Sequence, residues 1–295
     1  MKQFLPILFA GLTLFGCKKA ADKPETPTQN EVKKYDVTFK VADFSSTVGT
    51  FNASTKGTMA VGDTLKNYAD NLYYYVFNSS GSLVKSMSQN AASPAFGTIT
   101  DQLPTGTYDV FMAASKGSLT LQGGGGYSTA SFQATPWNDT FTKAFSLTVG
   151  TAAITQTVRL DRALGGLEVT LGDVITSNVA KITLVYDKDA SNLLMRTGGT
   201  FVSGTAVKDF PISTFDVGTR NKKFFMYIGN TSTPAIVTVL AYDASNNIIA
   251  QKQVGPVTVT KNKITLLSGS LLLKSSADFT VAINPTWGAG TTQSF

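Results

Sequence analysis

The sequence predicts an all-β protein of two tandem β-sandwich domains, and three observations predict it. Apolar and polar residues alternate with period two in several short runs, no long stretch has helical periodicity, and Gly, Ser and Thr punctuate the chain. Hydrophobic residues make up 42% of the 295, enough to bury a sizeable core. Charged residues are only 15%, against about 25% in an average globular domain.

The chain opens on MKQFLPILFAGLTLFGC. Lys2 supplies a short positive region, Phe4 to Phe15 an apolar stretch, and Gly16 a small residue ahead of a cut. This reads as a secretory signal over residues 1–16, too short for a membrane span of about 20 residues. Leu14-Phe15-Gly16-Cys17 resembles a bacterial lipobox, in which the Cys thiol takes a diacylglycerol and the signal is removed before it. Phe15 is bulkier than that position usually carries. Cys17 is the chain's single cysteine, so an internal disulfide is impossible. Several acyl chains, at about 0.8 kcal/mol per buried CH₂, would hold the protein stably to a membrane. Lys18 stands where an inner-membrane retention signal would place Asp, which by resemblance to lipoproteins favours the outer membrane; the cell surface is the expected location, with a periplasmic facing left open. Residues 17–34 are polar, carry Pro24 and Pro27, and read as an extended tether.

Beyond the tether, Tyr35 to Val41 alternates strictly, as a half-buried strand should. The pattern returns at Leu167–Leu171, Val257–Thr260 and Phe279–Ile283. Asn78-Ser79-Ser80-Gly81 and Pro104-Thr105-Gly106 are hairpin turns, since Asn and Gly tolerate positive φ. Phe77 to Val84 aligns with Tyr242 to Ile249: an aromatic ends a strand, a polar turn follows, and an aliphatic pair opens the return strand. This weak repeat suggests two related domains, residues 35–162 and 163–295, meeting within Asp161 to Gly166. Gly123 to Gly126 reads as a flexible loop, and the stretch from Asp278 to Phe295 as an edge strand with a frayed end. The competing reading of that last stretch is a segment that engages a neighbouring subunit.

Three stretches, in order, resemble FimB-type fimbrial subunits, the anchor and minor subunits of type V pili within the wider fimbrillin family. The first is Leu72 to Phe77 with Gly81 to Val84, followed by Leu103 to Val110. The second is Leu160-Asp161-Arg162-Ala163 leading into Leu167-Glu168-Val169. The third is Val259 to Lys263 with Thr265 to Gly269. The resemblance implies two transthyretin-like sandwiches and a role in pilus anchoring or assembly, with subunits joined by donor-strand exchange. Shaft subunits of that family are matured by an Arg-specific cut that removes a first strand. Here Arg occurs only at 159, 162, 196 and 220, none near Tyr35 to Val41, which argues for an uncut anchor or accessory subunit. Cleavage after Lys40 by another protease would undo that argument.

Other chemistry finds little support. There is no His, and Glu occurs only at 25, 31 and 168, so nucleophilic or paired-carboxylate catalysis has no evident machinery. No cofactor is expected. The net charge of +6 is spread along the chain rather than clustered as nucleic-acid binding requires. Asp187 to Asn192 lacks the Gly and Glu of a Ca²⁺ loop and reads as a hairpin turn. Gly123 to Gly126 lacks the Lys of a phosphate loop. Trp137 and Trp287 are the candidates for stacking on sugar rings, with burial as core aromatics the competing reading; they motivate a surface glycan-binding lipoprotein as the alternative function. Asp63-Thr64-Leu65 matches a short O-glycosylation tripeptide.

Overall fold

The computed structural model describes residues 32–44, 65–122, 126–134, 136–272 and 279–284. Cys17, the lipobox, Asp63, Thr64 and Trp287 lie outside the described residues. The chain divides into residues 1–33 and 34–295, and the second unit carries the fold.

β1 (Lys34–Phe44) is followed by one helical turn, α1 (Leu65–Tyr68), and by β2 (Asn71–Asn78), β3 (Leu83–Asn90), β4 (Thr98–Pro104) and β5 (Gly106–Ser115). Two short strands, β6 (Thr120–Gln122) and β7 (Ser131–Gln133), precede β8 (Thr140–Val149) and β9 (Ile154–Arg162). Then come β10 (Gly165–Leu171), β11 (Lys181–Leu194), β12 (Thr200–Pro211) and β13 (Lys222–Ile228). The last are β14 (Ala235–Tyr242), β15 (Ile248–Val257), β16 (Ile264–Gly269) and β17 (Thr280–Asn284). The fold class is all-β, as the alternation requires.

In the first half, β3-β2-β5-β8 form one layer and β9-β1-β4 the other; they join where Phe141 and Thr142 of β8 pair with Arg162 and Asp161 of β9. Between them lie Val37 and Phe39 of β1, Leu72, Tyr74 and Val76 of β2, Val110 and Met112 of β5, and Val158 and Leu160 of β9. In the second half, β12-β11-β14-β15 face β13-β10-β16-β17 across Val169, Leu184, Tyr186, Met226, Val237 and Leu267. The two paths match. β1 and β10 each sit between an antiparallel neighbour, β4 or β13, and a parallel one, β9 or β16. β17, antiparallel to β16, has no counterpart among the described residues of the first half.

This repeat differs in one respect from the sequence alignment of Phe77–Val84 with Tyr242–Ile249. The first segment is the β2–β3 turn, whose place in the matching path belongs to β11–β12; the second is the β14–β15 turn. Both turns are Asx-capped, by Asn78 Oδ1 and Asp243 Oδ1, so similar turn chemistry produced the alignment.

Two further expectations are corrected. Asp187 to Asn192 does not turn; it lies within β11, where register shifts against β12 mark bulges rather than a hairpin. Val257 to Thr260 buries alternate residues as predicted, but the strand ends at Val257. The carbonyl of Thr258 accepts the Thr265 hydroxyl and that of Thr260 accepts the Lys263 amide, so the chain turns toward β16 instead of extending a ladder.

The halves are tied by strands as well as side chains. β6 and β7 belong to the first half, yet β7 pairs with the far end of β11, Asn192 to Leu194. A third apolar cluster forms beneath them: Phe111, Phe132, Trp137, Leu164, Leu193 and Met195. Phe132 is its centre, with ring centroids 5.5, 5.4 and 5.7 Å from Tyr73, Tyr75 and Phe111.

Candidate interaction surfaces

Strand edges are the first candidate. Among the described residues, the large exposed apolar side chains include Leu83 and Val84 of β3, Val207 of β12, Ile248 and Ile249 of β15, and Val281 of β17. Among the described residues, each of these strands is paired on one side only. The aliphatic pairs noted in the sequence, Leu83-Val84 and Ile248-Ile249, both begin edge strands. An open edge offers unpaired backbone N–H and C=O groups, and another strand can add there. Lys85, Lys208 and Lys252, interleaved with the apolar positions, are the charges that commonly guard such edges.

β1 is no such edge. It is hydrogen-bonded to β4 on one side and β9 on the other. Val37 and Phe39 are fully buried and Val41 nearly so. At about 2 kcal/mol for each buried side chain, removing this strand would forfeit roughly 6 kcal/mol of apolar burial as well as two ladders.

The junction is the second feature. Arg162, only 3% exposed, ends β9. Its Nε and Nη2 donate to both oxygens of Asp139 at 2.7 and 2.9 Å, and Nη1 donates to Asn262 Oδ1 at 3.0 Å. The guanidinium lies 4.7 Å from the Phe141 ring centroid. Nearby Tyr227 has its phenol pushed up to about 12, by burial first and then by the Asp139 charge, with Arg162 pulling the other way. Ala163 and Leu164, which follow, are buried in the third cluster. Gly165 is required by close approach: a Cβ there would meet Val259 Cγ1 at 2.3 Å and Thr260 O at 2.8 Å.

A pocket of about 100 Å³ opens beside the bulged part of β11, with Trp137, Asp189, Ala190, Lys208, Met226 and Tyr227 in its wall. Trp137 is 5% exposed and its indole N–H donates to Ala190 O at 2.5 Å, so it stands in the core and edges the pocket rather than presenting an open ring face. Burial pushes the Asp189 carboxyl up; the amides of Asn230, Ala190 and Gly229 pull it back. Two of those bonds measure 2.8 Å, from Gly229, and 3.0 Å, from Asn230. Burial lowers the Lys208 ammonium, which donates to Phe225 O at 2.9 Å. Among the described residues, no cluster of three or more acidic, Cys or His side chains could hold a metal ion. No helix among them is long and apolar enough to cross a membrane.

In the sequence Arg162 stands out as part of the boundary and of the second family-like stretch, but not as an ion-pair centre. Its partners, Asp139 and Asn262, are 23 and 100 residues away, and no local pattern joins them. Asp189 was hidden inside a segment that reads as a turn.

These surfaces define a β-sandwich protein whose prepared features are strand edges and a locked junction. The chain belongs to the family of fimbrillin-A associated anchor proteins, Mfa1 and Mfa2, whose model matches residues 26–228. Membership implies a place at the cell surface or in the fimbria. No curated protein matches the sequence. Among solved structures, candidate polysaccharide-binding proteins from Bacteroides thetaiotaomicron match with 12% identity and a TM-score of 0.55, over 89% of this chain and 98% of theirs. A candidate adhesin from Bacteroides ovatus matches with 10% identity and a TM-score of 0.53, over 91% of this chain and 97% of its own. The fimbrial anchor protein Mfa2 from Porphyromonas gingivalis is similar at 12% identity and a TM-score of 0.49, over 85% of this chain and 98% of its own. At such identities the likeness to the first two establishes the fold alone.

Proposed function

We propose that this protein is a non-enzymatic fimbrial anchor or accessory subunit, lipid-anchored through Cys17 to the outer membrane and joined to fimbrial subunits by strand addition. The observation that carries the reading is the state of β1 within a member of an anchor family. A first strand paired on both sides, with no Arg near it to direct removal, suits a subunit that stays whole at the base of a polymer. The exposed aliphatic pairs on β3 and β15 supply edges on which a partner's strand could dock. The shared strand path supports two domains, residues 35–162 and 163–295, with Arg162 at the boundary.

Deleting the gene tests the reading. Fimbriae should be shed into the medium or change in length; fimbriae as firmly attached and as long as before would refute the anchor role. Cys17→Ser should release the protein from the membrane fraction, and a variant that still partitions with membranes would refute lipidation. A glycan-binding role is the second reading, carried by the pocket beside Trp137 and Asp189. Retention on polysaccharide affinity gels, lost with Asp189→Asn while the fold is kept, would favour it over the anchor.

A further inference from the structure

The two sandwiches differ at the side where their layers open. β3 and β4 are the outermost strands of the two layers in the first half, and β12 and β13 hold the same places in the second. In each half a lysine of the first of these strands stands opposite a buried residue of the neighbouring strand: Lys85 opposite Val76, Lys208 opposite Leu184. Both lysines reach across the opening. Lys85 meets the buried carboxylate of Asp101 on β4, at 3.5 Å to Oδ1, and the Tyr74 hydroxyl donates to Oδ2 at 3.3 Å. Lys208 meets only a backbone oxygen on β13, Phe225 O at 2.9 Å.

The inward residues explain the difference. Those of β4 are Ile99, Asp101 and Leu103; those of β13 are Phe224, Met226 and Ile228. Where the first half places a carboxylate, the second places Met226. Among the described residues no Asp or Glu pairs with Lys208. Burial lowers its ammonium, as befits a cation whose charge nothing nearby offsets. Lys208 and Met226 both line the pocket beside β11. Asp189, in the same wall, does not take the missing role: its Oδ1 is held by the amides of Gly229 and Asn230. Burial raises that carboxyl toward its neutral form, which softens its repulsion of an incoming anion.

The size of the space narrows the ligand further. At roughly 12 Å³ per water, a pocket of about 100 Å³ holds about eight waters. That is the bulk of one sugar ring and well beyond an Asp or Glu side chain. Trp137 and Met226 supply apolar wall, and Ser191 and Thr205 supply hydroxyls, which together suit a ring with C–H faces and hydroxyl edges.

We propose that this pocket binds a sugar unit that carries a carboxylate, as a hexuronate does, with the carboxylate on Lys208 Nζ and ring hydroxyls on Asp189, Ser191 and Thr205. This rests on the glycan-binding reading above and names its ligand class: the ligand supplies to Lys208 the counter-charge that Asp101 supplies to Lys85.

The test uses the full-length protein, purified in detergent, on affinity gels carrying polygalacturonate, alginate or hyaluronan and on gels carrying dextran or mannan. Salt at about 0.15 M screens the net charge of the chain. At least one acidic gel should retain the protein and the neutral gels should not. The matching free uronate should release it, while free glucose and polyglutamate should not. Lys208→Met should weaken retention about tenfold to a hundredfold, the worth of one hydrogen bond to a charged group. Lys208→Arg, which keeps the cation, should restore most of it. Lys261→Met removes an exposed charge outside the pocket and should leave retention unchanged. A Lys208→Met protein retained like the parent, an equal loss with Lys261→Met, release by polyglutamate as readily as by uronate, or no retention on any acidic gel would each overturn the proposal. Retention on the neutral gels alone, lost with Asp189→Asn, would show that the glycan reading survives without it. No retention on any gel would remove that reading as well.

Discussion

Arg162→Met puts the junction under the sharpest test. The substitution keeps an apolar stem over Phe141 and removes the cation. Asp139 then loses its bidentate partner while its side chain keeps only 13% of its exposure. Breaking a buried pair by deleting one member costs about 3–5 kcal/mol, because the remaining charge stays desolvated. Asp139 retains some solvent, so the lower figure applies, about 3 kcal/mol. The lost bond to Asn262 Oδ1 adds about 1 kcal/mol. At roughly 2–4 °C per kcal/mol for a chain of this size, the melting temperature should fall on the order of 10 °C. Urea unfolding followed by tryptophan fluorescence is the assay, since Trp137 lies in the cluster just beneath the junction.

A second variant separates charge from packing. Adding Asp139→Asn to Arg162→Met removes the stranded carboxylate, so the double variant should recover at least half of the loss. Arg162→Lys should fall between, because an ammonium cannot bond both Asp139 oxygens and Asn262 in one plane. An Arg162→Met protein within 1 kcal/mol of the parent would refute the reasoning, as would a double variant no better than the single one.

Asp189 should behave differently in two substitutions. Asp189→Ala leaves the amides of Gly229 and Asn230 without their acceptor and should cost about 2–3 kcal/mol in urea unfolding. Asp189→Asn keeps an acceptor oxygen and removes a buried charge, so neutral-pH stability should change by less than about 1 kcal/mol. Because burial raises the folded carboxyl above its unfolded value, the folded state binds this proton more tightly. The contribution of Asp189 to stability is therefore full below the unfolded value and is lost as pH rises through the folded one; Asp189→Asn should remove that part of the pH profile. For β1, limited trypsin digestion of the native protein should leave the Lys40–Val41 bond intact, although Lys40 is exposed, because both ladders hold the strand out of a protease cleft. Mass spectrometry of the resistant core checks this, and a core that begins at Val41 would contradict it.

Much of the strand content was legible because period-two alternation is a local signal. Tyr35 to Val41 and Leu167 to Leu171 fall inside β1 and β10, and the turn at Asn78 to Gly81 is where its residues demanded. What the sequence hid is non-local. Nothing in Ser131-Phe132-Gln133 announces that it will pair with β11, 60 residues on. Asp187 to Asn192 carries the residues of a turn, yet pairing with β12 from Lys181 to Leu193 keeps it extended, and Asp189 is drawn inward by the amides of Gly229 and Asn230. The candidate surfaces divide in the same way. The aliphatic pairs at 83–84 and 248–249 were visible, but that both lie on edges follows only from the strand order.

That order also separates the edges from one another. The side of β16 away from β10 is covered by β17, whereas the matching side of β9 meets β8 at only two residue pairs near the junction. Among the described residues, the rest of that side of β9 is thus an edge that the second half has filled and the first has not. Yet β9 exposes Thr155, Gln156, Thr157 and Arg159 there, polar residues that give an incoming strand little apolar surface to cover. β3 and β15 are opposite cases: each begins with two exposed aliphatic residues, and covering such a pair adds apolar burial to the backbone bonds. A strand arriving from another chain therefore gains more on β3 or β15 than on β9, although among the described residues β9 has the larger unpaired stretch.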